Sequence, residues 1–195
     1  MQTAVSCFGD VRNFDTSNVI DMSWLFQGCE FERIDLSKLD MQNVRNMSSM
    51  FVNCTKLKEV NLSGMQTSSV EDMSYMFAFC ENLKQLDLSG LDTSKLRFAN
   101  SMFQDCKRLE DLDLDGWDTS KVEWFDFTFE NCSALRDLDV TGFDTSSAQR
   151  MTGMFAGCTH LETLDVTNFD TSSVTDMSRM FENCSALNEL DISSF

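Results

Sequence analysis

Three sets of side chains in this 195-residue chain have the type and spacing to do chemistry. Seven cysteines (Cys29, Cys54, Cys80, Cys106, Cys132, Cys158, Cys184) recur at a near-constant interval. Thiols brought into register could form disulfides, bind a soft metal or act in redox exchange. No Cys-x-x-Cys spacing occurs, and side chains stacked in one column point the same way, so the expectation is a row of buried thiols packing as small apolar residues. Cys7 stands outside the row as a lone candidate for reactivity. Two rows of carboxylates form the second set. Asp15, Asp40, Asp92, Asp118, Asp144 and Asp170 mostly precede Thr-Ser, where a carboxylate holds a turn by accepting from nearby backbone N–H groups. Asp35, Asn61, Asp87, Asp113, Asp139, Asp165 and Asp191 form the other row. The third is His160, the only histidine, which no motif places beside a nucleophile, so catalysis is not expected.

The rows exist because the chain is a repeat. Counting from the apolar residue before the Asp-Thr-Ser position, coils begin at Phe14, Leu39, Met65, Leu91, Trp117, Phe143 and Phe169. The first coil has 25 residues and the other six have 26. Residues 1–13 are a degenerate partial repeat, residues 14–194 a seven-repeat solenoid, and residue 195 the start of an eighth repeat. The chain thus stops where a coil begins, with no distinct polar cap, as an excerpt of a longer array would.

Within a coil, Met177, Met180, Phe181 and Cys184 follow the i, i+3, i+4, i+7 spacing of one helical face. That spacing predicts a helix of one to two turns, started by Asp176 or Ser178. Leu190 and Ile192 alternate with Asp191, which predicts a short strand. Seven such strands stacked in parallel at ~4.8 Å would build a sheet about 30 Å tall. The expected fold class is therefore an α/β repeat solenoid, one short parallel strand and one short helix per repeat, whose coils bury their apolar faces against one another.

The pattern Phe-Asp-Thr-Ser-x-Val-x-Asp-Met-Ser-x-Met-Phe-x-x-Cys-x-x-Leu-x-x-Leu-Asp-Leu-Ser covers residues 10–195. It resembles the 26-residue repeat of bacterial surface proteins, the BspA-like leucine-rich-repeat or mycoplasma-lipoprotein-type repeats. The resemblance implies a right-handed leucine-rich-repeat-like coil, extracellular or cell-surface display, adhesion to a host matrix or cell-surface protein, and no catalytic residues. No export signal is present in this sequence.

Fifteen Lys and Arg against 32 Asp and Glu give a net charge of −17. That field disfavours nucleic acid and anionic membrane surfaces, and no apolar run reaches the ~20 residues of a membrane span. No cofactor is expected. Carboxylates ~5 Å apart in the outward row of the strand would repel by about 1 kcal/mol per pair in water. Hydrogen bonds, raised pKa values, cations or a basic partner are the candidate compensations. The acidity peaks at Asp111, Asp113, Asp137 and Asp139, a second candidate partner-binding surface.

The first candidate surface is where the repeat is broken. Asp21, Asn46, Asp72 and Asp176 precede the inward Met position or its equivalent, but the same column holds Phe98, Trp124 and Arg150 in the fourth to sixth coils. Trp24, Tyr75 and Phe127 vary a nearby column. Phe98, Trp124, Phe127 and Arg150 are expected to form a contact patch for a protein ligand, since surface aromatics and Arg dominate interface energetics. The competing expectation is local repacking, because Ala99 and Phe125 replace the inward Met alongside. The readings carried forward are a protein-binding or adhesion module, a spacer that displays another domain, and an intracellular scaffold.

Overall fold

The computed structural model describes residue 11 and residues 14–195, so Cys7 and nearly all of the N-terminal partial repeat lie outside the described residues. The apolar columns form one continuous core along the solenoid. Its spine is the row Phe26, Phe51, Phe77, Phe103, Phe129, Phe155 and Phe181, stacked with ring centroids 5.3–6.1 Å apart and planes within 13°. A residue in this row buries its own area and adds about 0.5–1.5 kcal/mol per stacked neighbour.

The predicted helix is absent: among the described residues no segment is helical. In its place each coil makes a ribbon of successive turns. The N–H groups of Met22, Trp24, Phe26 and Gly28 donate to the carbonyls of Asn46, Ser48, Met50 and Val52 in the next coil, at 2.8–3.1 Å. Those of Leu25, Gln27 and Cys29 close turns on Met22, Trp24 and Phe26 within the coil. The switch is made by two residues per coil, four apart, in the left-handed region: Trp24 and Gly28, Ser49 and Asn53, and onward to Arg179 and Asn183. A turn ribbon with this four-residue period returns side chains to one side with the spacing of a helix, which is why the sequence pattern could not separate the two. The ribbon prevails because so short a helix is marginal alone, whereas a ladder shared by seven coils satisfies donors along the whole length. Left-handed backbone costs roughly 1–2 kcal/mol per non-glycine residue. The second position of the pair limits that cost with Gly28, Asn53, Asp105, Asn131, Gly157 and Asn183; only Phe79 departs.

The strand expectation holds in reduced form. β1 (Arg33–Asp35) pairs in parallel with β2 (Glu59–Asn61), and β3 (Gln85–Asp87) with β4 (Asp111–Asp113). These are two two-stranded sheets rather than one sheet through all coils. Parallel bridges through Asp21, Asn46, Asp72, Phe98, Trp124, Arg150 and Asp176 instead run the whole length, at the start of the turn ribbon.

Both aspartate rows of the sequence are turn caps, and the ribbon adds a third. In the first coil, Asp15, Asp21 and Asp35 each accept the N–H of the residue two positions on, at 2.8–3.1 Å. In the last, Asp170, Asp176 and Asp191 do the same at 2.9 Å. The buried Thr after the first aspartate locks coil to coil: Thr119 Oγ1 donates to the Asp144 carbonyl and accepts the Asp144 N–H.

The seven cysteines of the row are thiols, six buried and Cys184 partly so. They do more than fill space. Cys54, Cys80, Cys106, Cys132, Cys158 and Cys184 each donate the S–H to the carbonyl of the spine Phe one coil earlier, at 3.0–3.2 Å. Burial pushes the Cys106 thiol up to about 12 and raises Cys80, Cys132 and Cys158 as well. Ionisation, and with it nucleophilic or metal chemistry, is suppressed there.

Candidate contact surface

The turn-ribbon face changes character in the fourth to sixth coils. A cap is missing at each of Phe98, Trp124 and Arg150, none of which can accept the N–H two residues on. The backbone ladder nevertheless passes through them: Phe98, Trp124 and Arg150 accept from Met73, Ala99 and Phe125 at 3.0, 3.2 and 2.9 Å. Main-chain pairing holds the coil here without help from the side chain, so the side chain is free to vary.

These side chains are brought together in part. The Phe98 and Trp124 rings meet at 4.8 Å between centroids with planes tilted by 53°. The Arg97 guanidinium lies 5.1 Å from the centre of the Phe98 ring, and Arg97 also pairs with Glu123 at 2.6 Å. Trp124 is 40% exposed. The repacking expected from sequence is present at Phe125 and Ala99, which are buried, while Phe98 and Trp124 lie at the surface. Phe125 reaches the Phe143 ring at 5.9 Å, so the extra volume of the departure is taken up in the core.

Arg150 is not a free cation. Its Nε donates to Asp126 Oδ2 at 2.9 Å, and Asp126 Oδ1 accepts the Thr152 N–H at 3.0 Å. Asp126 stands where most coils have Ser, and it supplies from the preceding coil the cap that position 150 cannot. Sequence reasoning passed over Asp126; the paired change of Ser to Asp in one coil and Asp to Arg in the next was its only signal. The neighbouring departure is less well satisfied: Asn100 Oδ1 is buried without a partner. Phe127 lies apart from the Phe98–Trp124 contact, its ring against Gly153 so closely that a Cβ there would sit 2.7 Å from it.

The acidic strand face is more uniform. Asp111 and Asp113 flank the inward Leu112 in β4, and Asp137 and Asp139 flank Leu138 one coil on. All four carboxylates are exposed. Alongside the first four coils the face forms an open groove of about 880 Å³, lined by residues such as Arg33, Glu59, Asp87 and Asp113. Asp139 accepts the Thr141 N–H at 2.9 Å and its hydroxyl at 2.7 Å, and these bonds hold its carboxyl below the usual aspartate range. Asp87, Asp165 and Asp191 are lowered for the same reason. At these four aspartates the compensation is a hydrogen bond and not a raised pKa. Among the described residues no group of three or more His, Cys, Asp or Glu side chains is placed to hold a metal ion. None of the described residues forms a helix long and apolar enough to cross a membrane.

The family model described as "Mycoplasma protein of unknown function, DUF285" matches residues 1–112, 29–138 and 99–195. This agrees with the resemblance to BspA-like repeats. No curated protein matches. Among solved structures, a leucine-rich repeat protein from Bacteroides ovatus is similar at a TM-score of 0.58 and 22% identity, over 85% of this chain and 38% of that one. The T. pallidum leucine rich repeat protein is similar at 0.56 and 21% identity, over 88% of this chain and 72% of that one. This chain therefore spans well under half of the Bacteroides protein. The likeness shows a leucine-rich-repeat type of solenoid.

Proposed function

Because the chain belongs to the family described as "Mycoplasma protein of unknown function, DUF285", we propose that it is a non-enzymatic repeat module that binds a protein ligand, displayed at a bacterial cell surface for adhesion. Leucine-rich-repeat architecture supports the binding role, since a stacked solenoid offers an extended rigid surface. Surface display and adhesion rest on the resemblance to BspA-like repeats.

One observation carries the choice of surface. The caps at positions 98, 124 and 150 are given up while the backbone ladder stays intact, and two of the three positions are filled by aromatics in contact at the surface. A stability argument alone favours Asp or Asn in this column, as in the first three coils. Phe98 and Trp124 form the anchor, Arg150 and Phe127 its flank, and Asp111, Asp113, Asp137 and Asp139 a second surface suited to basic partners.

The test is binding of the chain to immobilised laminin, collagen and mucin. Phe98→Ser with Trp124→Ser should weaken binding at least tenfold, the scale of a hot-spot loss of about 2 kcal/mol, with an unchanged circular dichroism spectrum. Unchanged affinity would overturn the patch, and no binding by the wild-type chain would favour a spacer role.

A further inference from the structure

A second row on the turn-ribbon face shares only Phe127 with that patch. Trp24, Tyr75 and Phe127 occupy the same position of the first, third and fifth coils, with φ of 62°, 57° and 57°. Bulky residues rarely adopt this conformation, so their presence asks for a reason beyond the backbone. The core does not supply it for Trp24 and Tyr75, which are 48% and 39% exposed; Phe127 is half-buried, its ring against Gly153. The second, fourth and sixth coils hold Ser49, Ser101 and Gly153, small residues at the same left-handed position. The column is continuous, because Trp24, Ser49, Tyr75, Ser101 and Phe127 each donate their N–H to the following coil. Large rings thus alternate with small residues, and at ~4.8 Å per coil the rings recur about every 10 Å.

We infer that Trp24, Tyr75 and Phe127 form a docking track for an uncharged, β-linked pyranose chain of the cellulose or chitin type, lying along the solenoid axis. In an extended chain of this kind each sugar is turned half a revolution from its neighbour. The same face therefore returns every second sugar, an advance close to that of two coils. Aromatic rings offer an apolar face to the C–H groups of a pyranose, and their fixed spacing selects the repeat of the polymer. The charges beside the row are engaged within the protein: Arg45 pairs with Glu71, Arg97 with Glu123 and Arg150 with Asp126, and the Asp21 and Asp72 carboxylates accept the N–H groups of Ser23 and Ser74. A ligand without charge leaves these contacts in place.

The probes are cellohexaose and N-acetylchitohexaose, titrated calorimetrically into the 195-residue chain, with maltohexaose as the α-linked control. At least one β-linked hexamer should bind saturably and maltohexaose at least tenfold more weakly. Affinity should rise from the trimer, which reaches two rings, to the pentamer, which reaches three, and then level off. Tyr75→Gly should lose at least tenfold in affinity without a lower melting temperature, because glycine suits the left-handed backbone; Tyr75→Phe should keep both. Phe98→Ser should leave glycan binding unchanged, which separates this track from the protein-binding patch. Absence of saturable binding by both β-linked hexamers, equal binding of maltohexaose, or wild-type affinity in Tyr75→Gly would overturn the inference.

Discussion

The turn-ribbon face and the strand face are built from the same repeat but tolerate different kinds of change. The ribbon ladder runs unbroken through seven coils, from Asp21 to Asp176, yet three successive positions in it have exchanged a capping side chain for Phe98, Trp124 and Arg150. The strand face forms only two short paired segments, and its outward Asp or Asn recurs in all seven coils. The difference lies in what holds each backbone. On the ribbon, four N–H groups per coil pair with the next coil whatever the side chains are, and the stacked Phe rings lie directly beneath. On the strand face the corner depends on the aspartate itself, so the side chain is committed to structure. Variation collects where the backbone supports itself, and the proposed contact surface lies there.

Breaking the spine should have the largest effect. Phe103→Ala should cost about 3–5 kcal/mol in urea unfolding, as large-to-small changes in cores do. Leu112→Ala, half-buried in β4, should cost clearly less; an equal loss would contradict the contrast between the faces. Asp126→Ala should cost about 2 kcal/mol, because it leaves the Thr152 N–H and the Arg150 guanidinium without their acceptor. The same experiment on Asp137, an exposed strand-face carboxylate, should move the midpoint little. In the opposite direction, Phe79→Asn should stabilise by about 1 kcal/mol by relieving a left-handed phenylalanine.

A smaller effect is expected from pH. The caps hold Asp87, Asp139 and Asp165 below their ordinary value of 3.8. Their folded pKa is depressed, so their stabilisation is present above 3.8 and is lost as pH falls through the lowered folded values. Relief of the −17 self-repulsion opposes this at higher pH. The urea midpoint should therefore fall only below the ordinary carboxylate range. A midpoint that declines from neutrality would show that the caps are not the titrating element. Thiol labelling gives a last contrast: at neutral pH the partly exposed Cys184 should react well before Cys106, whose thiol is buried and raised to about 12.

The repeat period, the inward columns, both aspartate rows and the outward position of Phe98 and Trp124 were legible in the sequence, because each is a spacing. What was not legible depends on main-chain direction. Met22, Leu25, Phe26 and Cys29 have the spacing of a helix and of a turn ribbon alike, and only the left-handed residues at 24 and 28 distinguish them. In hindsight the Gly, Asn and Asp that dominate the column of Gly28 and Asn53 were the available sign. The S–H bond of Cys106 to the Phe77 carbonyl crosses between coils at 29 residues' separation, and no local pattern announces it. Arg150 read as a surface cation because Asp126 lies in another coil and another column.

The central claim is that the regular coil is scaffold and its three consecutive departures are the contact surface. Restoring the regular column tests it directly: Phe98→Asp, Ala99→Met, Asn100→Ser, Trp124→Asp, Phe125→Met, Asp126→Ser and Arg150→Asp in one chain. The regularised chain should melt no lower than the wild type and should no longer bind whichever of laminin, collagen or mucin the wild type retains. A regularised chain that binds as before, or that fails to fold, would contradict the claim.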